Sequence, residues 1–103
     1  MNEDAFGYRR AYKRFSCFFE GIAKLADEKI YNIYCNDISY KGAGVIADYP
    51  LKVNSHLKLE LSSAKLDSLA MEGKVCWCSN IRGKWRAGVL FNRILPFTLE
   101  KIV

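Results

Sequence analysis

Phe15-Ser16-Cys17-Phe18-Phe19-Glu20-Gly21-Ile22-Ala23-Lys24-Leu25 decides the fold, because it carries two periods at once. At helical spacing, Phe15, Phe18, Phe19, Ile22, Ala23 and Ala26 share a face. At period two, Phe15, Cys17, Phe19, Gly21, Ala23 and Leu25 do. Pattern alone slightly favours the helix. The strand reading stays open beside it. Asp27-Glu28-Lys29 is a short polar turn, and Ile30-Tyr31-Asn32-Ile33-Tyr34-Cys35 behind it is β-branched and aromatic, which suits a strand. If both runs are extended, the turn joins them as a hairpin.

Downstream, turn signals and short apolar runs alternate. Gly42 and Gly44 mark a short run, Ala43–Ala47, which Asp48-Tyr49-Pro50 ends. Val53–Leu61 alternates, with Leu57, Leu59 and Leu61 on one face and Lys58 and Glu60 on the other. Ser62–Ser68 reads as a polar loop. Leu69–Cys78 and Trp85–Phe91 read as strands, with a turn over Ser79–Lys84. Leu95–Val103, with Pro96 near its start, reads as the first turns of a helix. Upstream, Met1–Tyr8 is a short polar tail expected to be flexible. The result is an all-β chain of about six short strands, closed or nearly closed into a small barrel that protects its edges.

Composition narrows the function. The chain has 103 residues, room for one domain, and half of it is apolar, enough for a core. Its net charge of +5 favours anionic partners only mildly, but four of its sixteen Lys and Arg residues crowd into Arg9–Arg14. The four cysteines include no Cys-x-x-Cys, and His56 is the only histidine, so zinc binding and a disulfide framework are not expected. Cys76 and Cys78, two apart, are expected on one face of a strand. Reduced thiols acting as small apolar residues fit a cytoplasmic protein. Arg9-Arg10 is followed by a stretch broken by Glu20 and Lys24, so no export leader is expected, and no apolar run reaches the ~20 residues of a membrane helix. No nucleophile and base stand at a recognisable spacing, which argues against an enzyme.

Two stretches on either side of the hairpin carry the chemistry. In Arg9-Arg10-Ala11-Tyr12-Lys13-Arg14, the Arg10 and Arg14 guanidiniums can fork onto a phosphate or onto the O6 and N7 edge of a guanine. Arg9 and Lys13 add positive field. In Asp37-Ile38-Ser39-Tyr40-Lys41-Gly42, Asp37 can accept from guanine N–H groups, Ser39 can donate or accept, and Gly42 leaves room for close backbone approach or positive φ. Asp37 and Ser39, two apart, would share a face of a strand. Alone, each stretch is ordinary: a serine bonding its own turn and a solvated charge run. Together, in this order, they describe a pocket for a phosphate-bearing, base-bearing ligand.

These stretches resemble the PilZ domain, whose motifs are RxxxR and, one hairpin later, [D/N]xSxxG. Here they are complete as Arg10-Ala11-Tyr12-Lys13-Arg14 and Asp37-Ile38-Ser39-Tyr40-Lys41-Gly42. Gly73-Lys74-Val75-Cys76-Trp77 and Lys84-Trp85-Arg86-Ala87-Gly88-Val89-Leu90-Phe91 resemble the family's last two barrel strands, so the likeness runs from Arg9 to the C-terminus. The resemblance implies a six-stranded antiparallel β-barrel with a short C-terminal helix, and hence a strand at Phe15–Leu25. It implies a receptor for cyclic di-GMP, with Arg10 and Arg14 on phosphate and guanine and Asp37 and Ser39 on a guanine edge. Arg9 would supply a third guanidinium for a second, stacked ligand. Read as a stand-alone domain over residues 9–103, the chain would be an adaptor that changes its surface on binding and contacts a protein effector. Two rivals stand beside this reading. One is a PilZ-like adaptor that needs no ligand. The other is a small nucleic-acid-binding barrel, which would need a basic and aromatic groove spread over several strands.

Overall fold

The structure, a computed structural model, describes residues 12–103. The expected tail Met1–Tyr8 and the cations Arg9 and Arg10 lie outside the described residues. Six strands succeed one another: β1 (Phe15–Leu25), β2 (Ile30–Ile38), β3 (Gly42–Ala47), β4 (His56–Ser63), β5 (Leu66–Ile81) and β6 (Lys84–Phe91). They close into an antiparallel barrel in the order β1-β2-β3-β6-β5-β4, with β4 pairing back onto β1. The segment with two periods is therefore a strand. Its helical look comes from Phe18 and Ile22, apolar residues on the outward face, with Phe18 stacked on Tyr34. Ser16 faces Asp37 but Phe19 faces Cys35, so β1 gains one residue against β2 between these pairs. The burial alternation continues through the bulge, with Phe18 exposed and Phe19 buried.

Elsewhere, sequence chemistry and strand geometry agree. Leu57, Leu59 and Leu61 of β4 are buried, and Lys58 and Glu60 between them are exposed. At roughly 1.5–3 kcal/mol for each large apolar side chain removed from water, this inner layer dominates the stability. β5 and β6 run further toward each other than the polar residues Ser79 and Asn80 suggest. Those residues stay in the ladder, opposite Arg86 and Trp85, and face solvent. The turn shrinks to Arg82 and Gly83, both at positive φ (54° and 84°), a two-residue geometry that matches strand twist. Likewise β5 begins at Leu66, inside the segment that reads as a loop.

Two expectations need correction, and a third takes a tighter form. β2 extends to Ile38, so Asp37 lies on the strand and Ser39 beyond its end, and the two do not share a strand face. β5 has its own bulge at Cys76, between the pairs Val75–Val89 and Trp77–Gly88. The bulge rephases the strand, so Cys78 packs against the core while the Cys76 thiol turns to the Lys74 carbonyl at 3.7 Å. The C-terminal helix is a single 3₁₀ turn, Leu99–Lys101, whose Leu99 is fully buried.

Candidate functional site

The site is built at the end of β2. A bulge at Asn36 lets Cys35 pair with Val45 and Asp37 with Gly44, so the Asp37 side chain emerges beside β3 and β1. There it receives a charge-assisted hydrogen bond from the Arg14 guanidinium, on the residue before β1. From the other side, Nη2 of Arg86 in β6 lies 3.9 Å from the second Asp37 oxygen. Two guanidiniums against one carboxylate leave the described part of the site cationic. The Arg86 Nε is buried and carries no hydrogen bond, and the same holds for Asn36 Oδ1. An arginine has five donors in a rigid fork, so Arg14 and Arg86 keep N–H groups for an anionic or acceptor-rich ligand while Asp37 holds both heads in place.

Close backbone pairing makes this possible. Gly44 faces Asp37 on one side and Gly88 on the other, and Gly88 faces Trp77. A Cβ on Gly44 would come within 2.7 Å of an Asp37 carboxylate oxygen, and one on Gly88 within 2.1 Å of Trp77 Nε1. The two glycines let a carboxylate and an indole lie over the β3 and β6 backbones from opposite sides. The surface therefore combines an acceptor, fixed cations and a half-buried indole.

The second motif shapes its own loop. The Ser39 hydroxyl oxygen accepts from the N–H groups of Gly42 (3.1 Å) and Lys41 (3.2 Å), and the Ser39 N–H donates to the Gly42 carbonyl (2.8 Å). Gly42 is not at positive φ. It is small because a Cβ would meet the Val89 carbonyl oxygen of β6 at 2.8 Å. The structure thus brings Arg14 and Asp37 together, places Ser39 in the turn beyond β2 and puts Gly42 at the start of β3. Arg9 and Arg10 lie outside the described residues. Sequence reasoning missed Arg86, Gly44, Gly88 and Trp77. Only the β2-β3-β6-β5 register unites them, and no local pattern announces it. Among the described residues no group of three His, Cys, Asp or Glu could hold a metal ion.

Comparison with known proteins agrees with this architecture. The family model for the PilZ domain matches residues 8–103. The PilZ domain of YcgR from Escherichia coli, in a structure with cyclic di-GMP, superposes with a TM-score of 0.71 at 20% identity, over 86% of this chain and 82% of that one. A longer structure of Escherichia coli YcgR in complex with cyclic di-GMP gives 0.72 at 21% identity, over 85% of this chain and 40% of that one. The Bacillus subtilis inhibitor of motility, MotI/DgrA, gives 0.70 at 17% identity, over 86% of this chain and 45% of that one. The chain thus spans less than half the length of these two longer relatives. At such identities the likeness is one of fold. No curated protein gives a significant sequence match.

Proposed function

We infer that this chain, which belongs to the PilZ domain family, is a receptor for cyclic di-GMP. The observation that carries the reading is the pair of guanidiniums on Asp37: Arg14 bonded to one oxygen and Arg86 beside the other, with buried Arg86 Nε lacking a hydrogen bond. A ligand with two phosphates and two guanines matches that set. Phosphate takes the arginine forks, and the guanine N–H edge takes Asp37. Arg10, four residues before Arg14 in the complete first motif, would close over the ligand from the N-terminal segment. Ser39 and Gly42 act by holding the loop after β2. Arg9 is the candidate contact for a second, stacked ligand. Binding without catalysis, relayed to a protein effector in the cytoplasm, is the corresponding role, and four free thiols fit a reducing compartment.

The test is calorimetric titration of cyclic di-GMP. Arg10→Ala and Arg14→Ala should each weaken binding at least about tenfold, on the order of 1.4 kcal/mol. Arg9→Leu should lower the stoichiometry from two ligands toward one. Single-stranded DNA at physiological salt should not displace the labelled dinucleotide, and displacement would favour a nucleic-acid-binding barrel. No heat of binding from the folded protein would leave the ligand-independent adaptor.

A further inference from the structure

Cys17 lies in the β1 bulge, three residues after Arg14, and Cys35 lies on β2, two residues before Asp37. Their sulfurs are 3.8 Å apart. The Cys17 thiol also points at the Cys35 carbonyl (3.5 Å), and the Cys35 thiol at the Asp37 carbonyl (3.2 Å). Both cysteines are free. Cys35 is fully buried, while Cys17, packed against the core, keeps part of its surface exposed. An accessible thiol with a second thiol in contact behind it is the arrangement of an attacking and a resolving cysteine.

We propose that Cys17 and Cys35 form a peroxide-sensitive dithiol whose oxidation to a disulfide weakens ligand binding at the Arg14–Asp37 site. The chemistry balances with hydrogen peroxide as the oxidant. The Cys17 thiolate attacks one peroxide oxygen, the O–O bond breaks, and hydroxide leaves to take up a proton as water. Cys17 is then a sulfenic acid. The Cys35 thiol attacks that sulfur, its proton goes to the departing hydroxyl, and a second water leaves. Two thiols lose two electrons and one peroxide gains them. The hydrogen bond shared with Cys35 holds the Cys17 thiol below its ordinary range, against the opposing effects of burial and of the Asp37 charge. That favours the reactive thiolate.

The coupling to the site is geometric. A disulfide is about 2.05 Å long, so closing it from 3.8 Å draws the β1 bulge and β2 together. Arg14 is carried by the bulge, and Asp37 comes two residues after Cys35. Oxidation also removes the S–H that points at the Asp37 carbonyl. Both changes shift the Arg14–Asp37 contact, which is poised for ligand.

The test treats the whole reduced protein with hydrogen peroxide, blocks the remaining thiols and digests with trypsin. Cleavage after Arg14, Lys24, Lys29 and Lys41 puts the two cysteines on different peptides. A linked pair containing Cys17 and Cys35 is expected. In Cys35→Ala a sulfenic acid on Cys17 should instead be trapped by dimedone. Full retention of all four thiols, or a bridge confined to Cys76 and Cys78, overturns the proposal. Oxidised wild-type protein should bind cyclic di-GMP at least tenfold more weakly, reversibly with dithiothreitol, whereas peroxide-treated Cys17→Ser should not change. Equal affinity of the oxidised and reduced wild type overturns the coupling. That second half rests on the receptor reading. If reduced protein binds no cyclic di-GMP, that reading and the coupling fall together, while the peptide map independently decides the dithiol.

Discussion

The Asp37 carboxylate occupies the space that a side chain on Gly44 would need: a Cβ there would lie 2.7 Å from Oδ2. The glycine is therefore part of the site through the side chain it lacks. Gly44→Ala should push the carboxylate aside. Asp37 is partly exposed, so it can yield at modest cost, and the barrel should stay folded. The Arg14–Asp37 contact would be lost, and we expect at least about tenfold weaker cyclic di-GMP binding, ~1.4 kcal/mol. Calorimetry beside a thermal melt checks both halves. A binding constant equal to wild type in the folded variant would remove Gly44 from the site. Gly88→Ala should behave differently. The indole that must move there meets the new methyl at 2.1 Å, and overpacking of this kind costs about 1–3 kcal/mol of stability.

Arg86 offers a sharper distinction, because its role depends on shape as well as charge. Its Nε is buried without a hydrogen bond, and its Nη2 stands 3.9 Å from Asp37. A lysine keeps the charge and loses the planar fork. Arg86→Ala should weaken binding by ten- to a hundredfold, given about 1.5–3 kcal/mol for a charge-assisted hydrogen bond. Arg86→Lys should recover only part of it. Full recovery in the lysine variant would mean that Arg86 supplies field alone.

Much of this was legible in the chain, and the exceptions have physical causes. Leu57, Leu59 and Leu61 announce β4 because one face is buried and the other wet. Phe15–Leu25 does not announce β1, since Phe18 and Ile22 are apolar although they face outward, where Phe18 stacks on Tyr34, and with Phe15 and Phe19 they mimic a helical face. At the site, Arg14 and Asp37 belong to short motifs visible in one dimension. Arg86 and Gly44 enter through the pairing of β3 with β6, strands that are not consecutive, and that register is settled only when the barrel closes. For Ser39 the sequence offered two roles, a turn and a ligand contact, and the turn role is the one visible in the structure. Its hydroxyl serves the turn, as serines beside a glycine commonly do.

The loop of the second motif is tied to the C-terminal segment through Tyr40. Its hydroxyl accepts from the Leu99 N–H (3.0 Å) and donates to the Glu100 carboxylate (3.0 Å), and its carbonyl accepts from the Leu95 N–H (2.8 Å). Tyr40→Phe keeps the ring and the carbonyl bond and deletes the hydroxyl. The amide of buried Leu99 then loses its acceptor, at about 1–3 kcal/mol. The urea midpoint should fall with an unchanged slope. An unchanged midpoint would show that the tail is held by apolar packing of Leu95 and Leu99 alone.

The Cys17–Cys35 contact also leaves a signature in the pH dependence of stability. The hydrogen bond between them lowers the Cys17 thiol, and that bond together with burial raises the Cys35 thiol far above the titration range of a free cysteine. In the unfolded chain both titrate at pH ~8.5. Between the depressed folded value of Cys17 and that point, the unfolded state binds more protons. Stability therefore rises with pH there, and Cys17's share is lost again as pH falls through its folded value. Above ~8.5 the unfolded chain has released both protons and the folded one only that of Cys17. The sign then reverses, and stability falls as pH rises. Urea melts of the reduced protein from neutral to alkaline pH, each referred to a Cys17→Ser/Cys35→Ala double variant at the same pH, isolate this term from the tyrosines and lysines. The difference should pass through a maximum near the unfolded thiol range. A difference that is flat across the range would show that the two sulfurs titrate independently and that no hydrogen bond couples them.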